Sequence, residues 1–157
     1  MAAPLSRRTR DVPDKELVAA ELGNSASGWV ADDDGTFVGA MGKIYLRRVD
    51  GRVEVALQTE ERHRNLSGYV HGGVIMTLMD RAMGINCREA AGGRAVTMTI
   101  TVNFVDPVRT GDFVRTTCKL AKVGRSVIFA EGEAYVGDHI VATASCICRK
   151  IVKPAGS

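Results

Sequence analysis

Aromatic residues are scarce in this chain, and it has neither a block of like charge nor a long apolar run. Phe, Trp and Tyr make up 5% of the 157 residues, and the formal net charge of +3 comes from scattered Lys and Arg. Nucleic-acid surfaces combine clustered positive charge with aromatic stacking, so a nucleic-acid partner is not expected. No stretch is apolar for long enough to cross a bilayer as a helix, so no membrane partner is expected either.

The cysteines show no metal-binding spacing. Cys87, Cys118, Cys146 and Cys148 form no C-x-x-C pair, and no His stands at the distance typical of a zinc site. We therefore expect no metal and no cofactor. The chain also lacks the apolar segment of a secretory signal, so reduced thiols in a cytoplasmic protein are predicted.

The length and the 45% hydrophobic content suit one well-packed core. We expect a disordered basic tail over residues 1–12, a single domain over 13–152 and a short tail over 153–157. A short helix is predicted over 13–23, because acidic residues come early and Gly23 closes it. Trp29 is expected to anchor the polar loop that follows.

The order of predicted elements is a hairpin, a long helix and a four-strand meander. Asp50-Gly51 is a strong hairpin signal, and Gly92-Gly93 ends the apolar segment that begins at Gly73. This helix is apolar nearly all round, as expected of one wrapped by a sheet. An α+β fold follows. The predicted strands cover residues 43–49, 52–59, 96–104, 112–123, 126–136 and 139–152.

A glycine-rich turn opens onto the long helix, which carries one carboxylate among apolar neighbours. The segment runs from Asn65 through His71, Gly72 and Gly73 to Asp80. Unpaired backbone N–H groups and the positive end of the helix dipole can hold a developing oxyanion at such a turn. The segment and the element order resemble the hotdog-fold acyl-CoA thioesterases, in particular the phenylacetate-pathway (PaaI-like) subgroup. The resemblance implies an antiparallel sheet wrapped around one long central helix.

The resemblance also implies roles for the residues of this segment. Asp80, nine residues after His71, matches the acidic residue that attacks the thioester or activates a water. Asn65 matches a polar residue that positions substrate or water, although an Asn here could equally cap a local turn. The amides of Gly72 and Gly73 are the oxyanion candidates, Gly72 first. His71 either orients the thioester or caps the helix.

Two further groups of residues follow from the resemblance. Thr97 matches a strand hydroxyl that assists the nucleophilic water, although threonines are ordinary strand residues. The turn Gly124-Arg125-Ser126 resembles the loop that contacts the nucleotide of coenzyme A. Around Met76, Met79 and Met83, adaptable methionines are expected to shape the acyl pocket.

Helix geometry separates the two halves of this predicted site. Gly73 and Asp80 lie seven residues apart, which places them on one helix face but about 10 Å from each other. One chain cannot close both onto one thioester, so a homodimer with shared active sites is predicted. The resemblance further implies that two dimers form a homotetramer.

The sequence therefore predicts hydrolysis of an acyl-CoA to a free acid and coenzyme A, without a covalent Ser or Cys. Medium-chain and aryl-acetyl groups are plausible acyl portions by resemblance. Two alternatives stay open. One is a hotdog enoyl-CoA hydratase or dehydratase that uses His71, and the other is a non-catalytic acyl-CoA-binding protein.

Overall fold

The computed structural model describes residues 28–32 and 35–151, and the predicted helix over 13–23 and both predicted tails lie outside them. Within these residues there are two helices, α1 and α2, seven strands, β1 to β7, and one 3₁₀ helix. Their bounds in chain order are β1 Val30–Asp32, α1 Phe37–Ala40, β2 Ile44–Val49, β3 Arg52–Gln58, the 3₁₀ turn Glu61–His63, α2 Gly72–Ala91, β4 Arg94–Phe104, β5 Phe113–Val123, β6 Val127–Val136 and β7 His139–Ile151. None of the helices in these residues is long and apolar enough to span a bilayer.

The turn residues predicted from the sequence end the elements where expected. Asp50 (φ 47°) and Gly51 (φ 74°) both adopt positive φ in the two-residue turn between β2 and β3, which matches the twist of the paired strands. Gly92 closes α2 in the left-handed conformation at φ 65°. Trp29 packs edge-on against Phe113, which confirms it as an anchor into the domain, but residues Val30–Asp32 of the loop predicted around it form strand β1.

All seven strands form one antiparallel sheet, and its strand order corrects the predicted meander. The order is β1-β2-β3-β5-β6-β7-β4. Of the four strands that follow α2, only β5, β6 and β7 pair in the order of the chain. Strand β4 pairs with β7 instead of β5, from Arg94 opposite Ile151 to Phe104 opposite Ala142. The clear alternation of β4 indicated a strand but carried no information about its neighbour. As a result β4 lies at an edge of the sheet.

One face of α2 supplies the centre of the core. Its side chains Ile75, Leu78, Met79 and Met83 are at most 3% exposed, and each contributes about 1.5–3 kcal/mol of burial free energy. They pack among apolar residues of β3, β5, β6 and β7. The opposite face of α2 is not covered by the sheet, and Met76 on that face is 39% exposed.

A β-bulge in β4 breaks the alternation predicted for that strand. Thr97 pairs with Cys148 and Thr99 with Ile147, so Met98 is the extra residue between them. Before the bulge, Thr97 shares the helix-facing side of the sheet with Cys148. After it, Ile100 occupies that side, opposite Cys146. The bulge therefore puts Thr97 and Thr99 on opposite faces.

Asn86 connects α2 to the first hairpin through buried hydrogen bonds. Its amide nitrogen donates to the carbonyl oxygens of Val53 (2.8 Å) and Ala82 (2.8 Å), and its oxygen accepts from the backbone N–H of Val53 (3.0 Å). At 2% exposure, water cannot replace these bonds.

The Asn86→Ala substitution tests this connection. We expect it to lower the free energy of unfolding by about 2–4 kcal/mol, because the N–H and C=O of Val53 lose their partner inside the core. Urea unfolding followed by circular dichroism measures the change. Asn103→Ala is the control, since its side chain is exposed and makes only a 3.5 Å contact. Equal losses in the two variants would contradict the role of Asn86.

Candidate active site

Asp80 and Thr97 meet between α2 and β4. The hydroxyl of Thr97 donates to Oδ1 of Asp80 at 2.9 Å. Because the bulge turns Thr97 toward the helix, the two side chains converge although they lie 17 residues apart in sequence. The arrangement gives this half-buried carboxylate one fixed hydrogen-bond donor, at its Oδ1 atom.

The nearest cation along the helix does not pair with Asp80. The guanidinium of Arg81 binds Asp32 of β1 at 2.8 Å, and both side chains are only about 20% exposed. Thr77, three residues before Asp80 on the helix, donates to the carbonyl of Gly73 at 2.9 Å. Thr97 is therefore the donor that the structure assigns to Asp80.

A pocket of about 580 Å³ opens beside Asp80 and Thr97. Its apolar wall comes from α1, the exposed face of α2 and β4. The pocket confirms Met76 as a lining residue, but Met79 and Met83 are 1% exposed in the core and do not line it. Met98, the bulge residue, takes part instead. The apolar lining of the pocket consists mainly of Phe37, Val38, Met76, Ile85, Met98 and Ile100.

A second cavity, of about 340 Å³, holds Asn65 and Gly72. The Oδ1 atom of Asn65 accepts from the backbone N–H groups of Ser67 (2.9 Å) and Tyr69 (3.1 Å), so the turn-capping interpretation of this residue is confirmed. Those two donors also settle the orientation of the amide. No described residue accepts a hydrogen bond from its Nδ2 group, which is available to a ligand in the cavity.

The start of α2 separates the two glycine amides. His71 is the N-cap, and its Nδ1 accepts from the N–H of Gly73 at 2.9 Å. The cap role predicted for His71 is thus confirmed, and the N–H of Gly73 is not available as an oxyanion donor. The N–H of Gly72 meets no acceptor among the described residues. Of the two predicted donors, Gly72 is the one that the geometry allows.

The predicted site residues fall into two groups within one chain. Asp80 and Thr97 line the larger pocket, whereas Asn65 and Gly72 line the smaller one. Gly72 lies eight residues before Asp80 on the helix, about 12 Å along the axis. A single chain does not bring the two groups to one reacting atom.

The predicted nucleotide-binding turn joins β5 to β6. Within it, Gly124 donates to the carbonyl of Val127 at 2.8 Å, and Ser126 accepts from the N–H of Lys150 at 2.9 Å. Arg125 is exposed at its tip. Register places the turn at the same end of the sheet as Thr97, since Val127 pairs with Arg149 and Arg149 pairs with Val96.

Three buried cysteines lie behind the Asp80–Thr97 pair, and the sequence did not indicate them as a group. The Sγ atoms of Cys87, Cys146 and Cys148 all lie within 4.8 Å of one another. The neighbouring Cys87 thiol lowers the pKa of Cys146, and the interaction with Cys146 raises the pKa of Cys87. Burial raises the pKa of Cys148. The only available signal was the i, i+2 spacing of Cys146 and Cys148, which places both on one face of a strand.

Comparison with known proteins now identifies the family. A profile of the thioesterase superfamily matches residues 67–146, which include α2, the Asp80–Thr97 pair and the cysteines of β7. The chain belongs to the thioesterase superfamily. Its enzyme class is accordingly that of the thioester hydrolases, and the hotdog fold is confirmed.

Individual members of the superfamily resemble the chain over most of the domain. Human acyl-coenzyme A thioesterase 13 is 30% identical over 96 residues, 59% of this chain and 68% of that protein. The hexameric thioesterase of Yersinia pestis is 28% identical, with a TM-score of 0.59, covering 64% of this chain and 90% of that one. A PaaI structure from Thermus thermophilus shares the fold at a TM-score of 0.68 and 22% identity, covering 73% of this chain and 98% of that one.

Removing the Thr97 hydroxyl tests the pairing with Asp80. We expect Thr97→Val to lower the kcat of thioester hydrolysis about 10- to 100-fold, the effect of deleting a hydrogen bond to a charged group. Thr97→Ser should retain most of the activity. Steady-state release of free thiol measures both.

The control for this substitution is Thr101→Val on the outer face of the same strand, where the side chain is exposed. A loss of activity in Thr101→Val equal to that in Thr97→Val would show that β4 is merely sensitive to substitution.

Proposed function

We propose that this thioesterase hydrolyses an acyl-CoA to the free acid and coenzyme A, with Asp80 as nucleophile or general base. The observation that carries the proposal is the hydrogen bond from Thr97 to a carboxylate that faces an apolar pocket. A half-buried Asp without an ion pair is costly to keep as a purely structural group. Here it stands where an acyl chain and a water molecule fit.

The start of α2 supplies the electrophilic half of the proposed reaction. The unpaired N–H of Gly72 sits at the positive end of a 20-residue helix, where it can polarise a thioester carbonyl and hold the oxyanion that forms. Asn65 lines the same cavity, and its Nδ2 group can donate to the substrate or to water. The Oδ1 bonds to the turn hold that donor in place.

The proposed nucleophilic half lies at Asp80. Either its carboxylate attacks the carbonyl carbon, giving an anhydride that water then cleaves, or it removes a proton from an attacking water. In both routes the C–S bond breaks and coenzyme A leaves as the thiol. Thr97 orients the carboxylate and can also hold the water.

Two copies of the chain complete the proposed site. Asp80 of one protomer would meet Gly72 and Asn65 of its partner across a two-fold axis, which yields two equivalent sites in a homodimer. Support comes from the edge strand β4, which exposes Met98 (59%) and Phe104 (55%) next to the two half-sites. Such an apolar edge is typical of an interface. We propose a pair of dimers, a homotetramer, as the assembly.

The apolar pocket supports a hydrophobic acyl group. Medium-chain and aryl-acetyl groups suit a wall built from Phe37, Met76 and Met98, because aromatic and thioether side chains accept both rings and flexible chains. The nucleotide of coenzyme A would lie on the Gly124-Arg125-Ser126 turn, where an exposed guanidinium can bind phosphate. Four free cysteines support a reducing, cytoplasmic location.

The other two candidate functions are less well supported. A hydratase would require His71 as an acid or base, but its Nδ1 already accepts from Gly73 as the helix cap. A pure acyl-CoA-binding protein would have no use for a carboxylate paired with Thr97.

The direct test is thiol release from a panel of short, medium, long and aromatic acyl-CoAs. We expect turnover by the wild type on medium-chain or aryl-acetyl substrates and a loss of about 10²–10⁴ in kcat for Asp80→Asn, which keeps the side-chain shape but removes the base. Asp138→Asn, in the exposed turn after β6, is the matched control.

If the wild type binds acyl-CoA saturably but releases no thiol, the protein is a non-catalytic acyl-CoA-binding protein and the proposed function is wrong. Hydration of an enoyl-CoA without thiol release would instead establish a hydratase.

A matched pair of substitutions isolates the backbone donor of Gly72. Gly72→Pro removes the N–H, and proline suits this first helical position because the preceding His71 is extended (φ −63°, ψ 135°). Gly72→Ala keeps the N–H. Both introduce a Cβ 2.9 Å from Cζ of Phe104, the far end of an exposed side chain that can turn away. We expect Gly72→Pro to lose about 10²–10³ in kcat and Gly72→Ala far less.

Mixing two inactive variants tests the shared site. If Asp80→Asn and Gly72→Pro chains exchange freely, half of the dimers are hybrids, and each hybrid has one intact site. Activity should therefore return to about one quarter of the wild-type value, as two-fold symmetry requires. The single variants incubated alone are the controls. No recovery after demonstrated subunit exchange would contradict a site built from two chains.

A further inference from the structure

The three-cysteine cluster on the inner side of β7 has a geometry that packing alone does not require. Cys87 comes from α2, and Cys146 and Cys148 come from β7. Their exposures are 0%, 3% and 1%. The sulfurs of Cys146 and Cys148 are 3.9 Å apart, and all three lie within 4.8 Å of one another. Three thiols therefore converge on one point inside the protein.

The spacing of the sulfurs suits a single atom bound to all three. A point equidistant from three sulfurs that are 3.9–4.8 Å apart lies about 2.3–2.8 Å from each, close to the length of a zinc–thiolate bond. A three-coordinate atom with a lone pair lies outside the plane of its three ligands, so binding it requires the three sulfurs to move closer together. Soft thiolate ligands select soft, thiophilic elements, and the group includes no His, Asp or Glu.

The net charge of the bound complex limits which elements the three thiolates can hold. A divalent ion on three thiolates carries a net charge of −1, and a monovalent ion carries −2. The site is buried among apolar side chains, where an uncompensated charge is expensive. The Thr97 hydroxyl is 3.9 Å from the sulfur of Cys148 and also holds Asp80, so a nearby carboxylate would repel an anionic complex. A trivalent element on three thiolates is neutral.

We propose that Cys87, Cys146 and Cys148 form a binding site for trivalent arsenic. Arsenous acid reacts with the three thiols by condensation. Three As–O bonds and three S–H bonds break, three As–S bonds form, and three waters leave. No electron is transferred, and the occupied site is neutral. Entry to this buried position requires local opening between α2 and β7, so binding is slow.

Occupation of the site acts on the Asp80–Thr97 pair. Drawing Cys148 toward a central arsenic shifts the residue that pairs with Thr97 across the β4–β7 ladder. The hydroxyl of Thr97 then loses its alignment with Asp80, and hydrolysis slows. This inhibition rests on the proposed function, whereas the binding does not.

The test is native mass spectrometry of the reduced full-length protein after incubation with sodium arsenite. The expected product is one arsenic per chain with the loss of three hydrogens, reversed by a small dithiol. The Tm should rise, because the ligand binds the folded state. Cys87→Ala should weaken binding at least about tenfold, since the third sulfur closes an intramolecular contact.

Cys118→Ala is the matched control. Cys118 is also a buried cysteine, with a thiol pKa that burial raises to about 12, but it lies outside the cluster. The Cys118→Ala variant should bind arsenite as the wild type does, and arsenite should inhibit both to the same extent.

Three results would contradict the proposed site. They are a mass that shows the loss of only two hydrogens, arsenite binding weakened equally in Cys118→Ala and Cys87→Ala, and a Tm that falls when arsenite is added. Occupation by Zn²⁺ or Cd²⁺ but not by arsenite would overturn the requirement for a neutral complex. If arsenite binds as expected but the protein has no thioesterase activity, the site stands and the proposed function fails.

Discussion

The burial of one face of α2 against the sheet is the constraint on which the rest of this structure depends. Ile75, Leu78, Met79 and Met83 fix the rotation of the helix about its axis, because turning any of them outward would expose a large apolar surface. With that rotation fixed, Asp80 points toward β4 and the helix N-terminus points toward Phe104. The geometry of the candidate site is thus a consequence of core packing.

A straight helix also explains why the site is divided. The positive end of the helix dipole acts only within the first turn, so the proposed oxyanion donor lies at Gly72. A carboxylate in that same turn would occupy the donor itself. With Asp80 two turns away that contact is avoided, and under the proposed function a second chain brings the carboxylate and the donor together. The exposed apolar residues of β4, costly in an isolated protomer, are consistent with that requirement.

The elements that could be predicted were those set by local chemistry. Asp50-Gly51 and Gly92 have backbone conformations that few other residues adopt easily, so the hairpin and the helix end were readable from sequence. The resemblance supplied Asp80 and Thr97. The pairing of β4 with β7 depends on contacts between distant residues, and no local pattern encodes it. The bulge at Met98 was hidden by an unbroken alternation of apolar and polar residues.

Asp80 lies at the boundary between an open pocket and a sulfur-rich core, and Thr97 connects the two. Its hydroxyl donates to the carboxylate on one side and lies 3.9 Å from Cys148 on the other. A charged cation in place of Thr97 would hold Asp80 more tightly but would reduce its basicity, since a neighbouring positive charge favours the ionised carboxylate. A neutral hydroxyl orients the carboxylate and reduces its basicity less than a cation would. The same hydroxyl places no positive charge beside the sulfurs, so this boundary favours a neutral complex on the sulfur side.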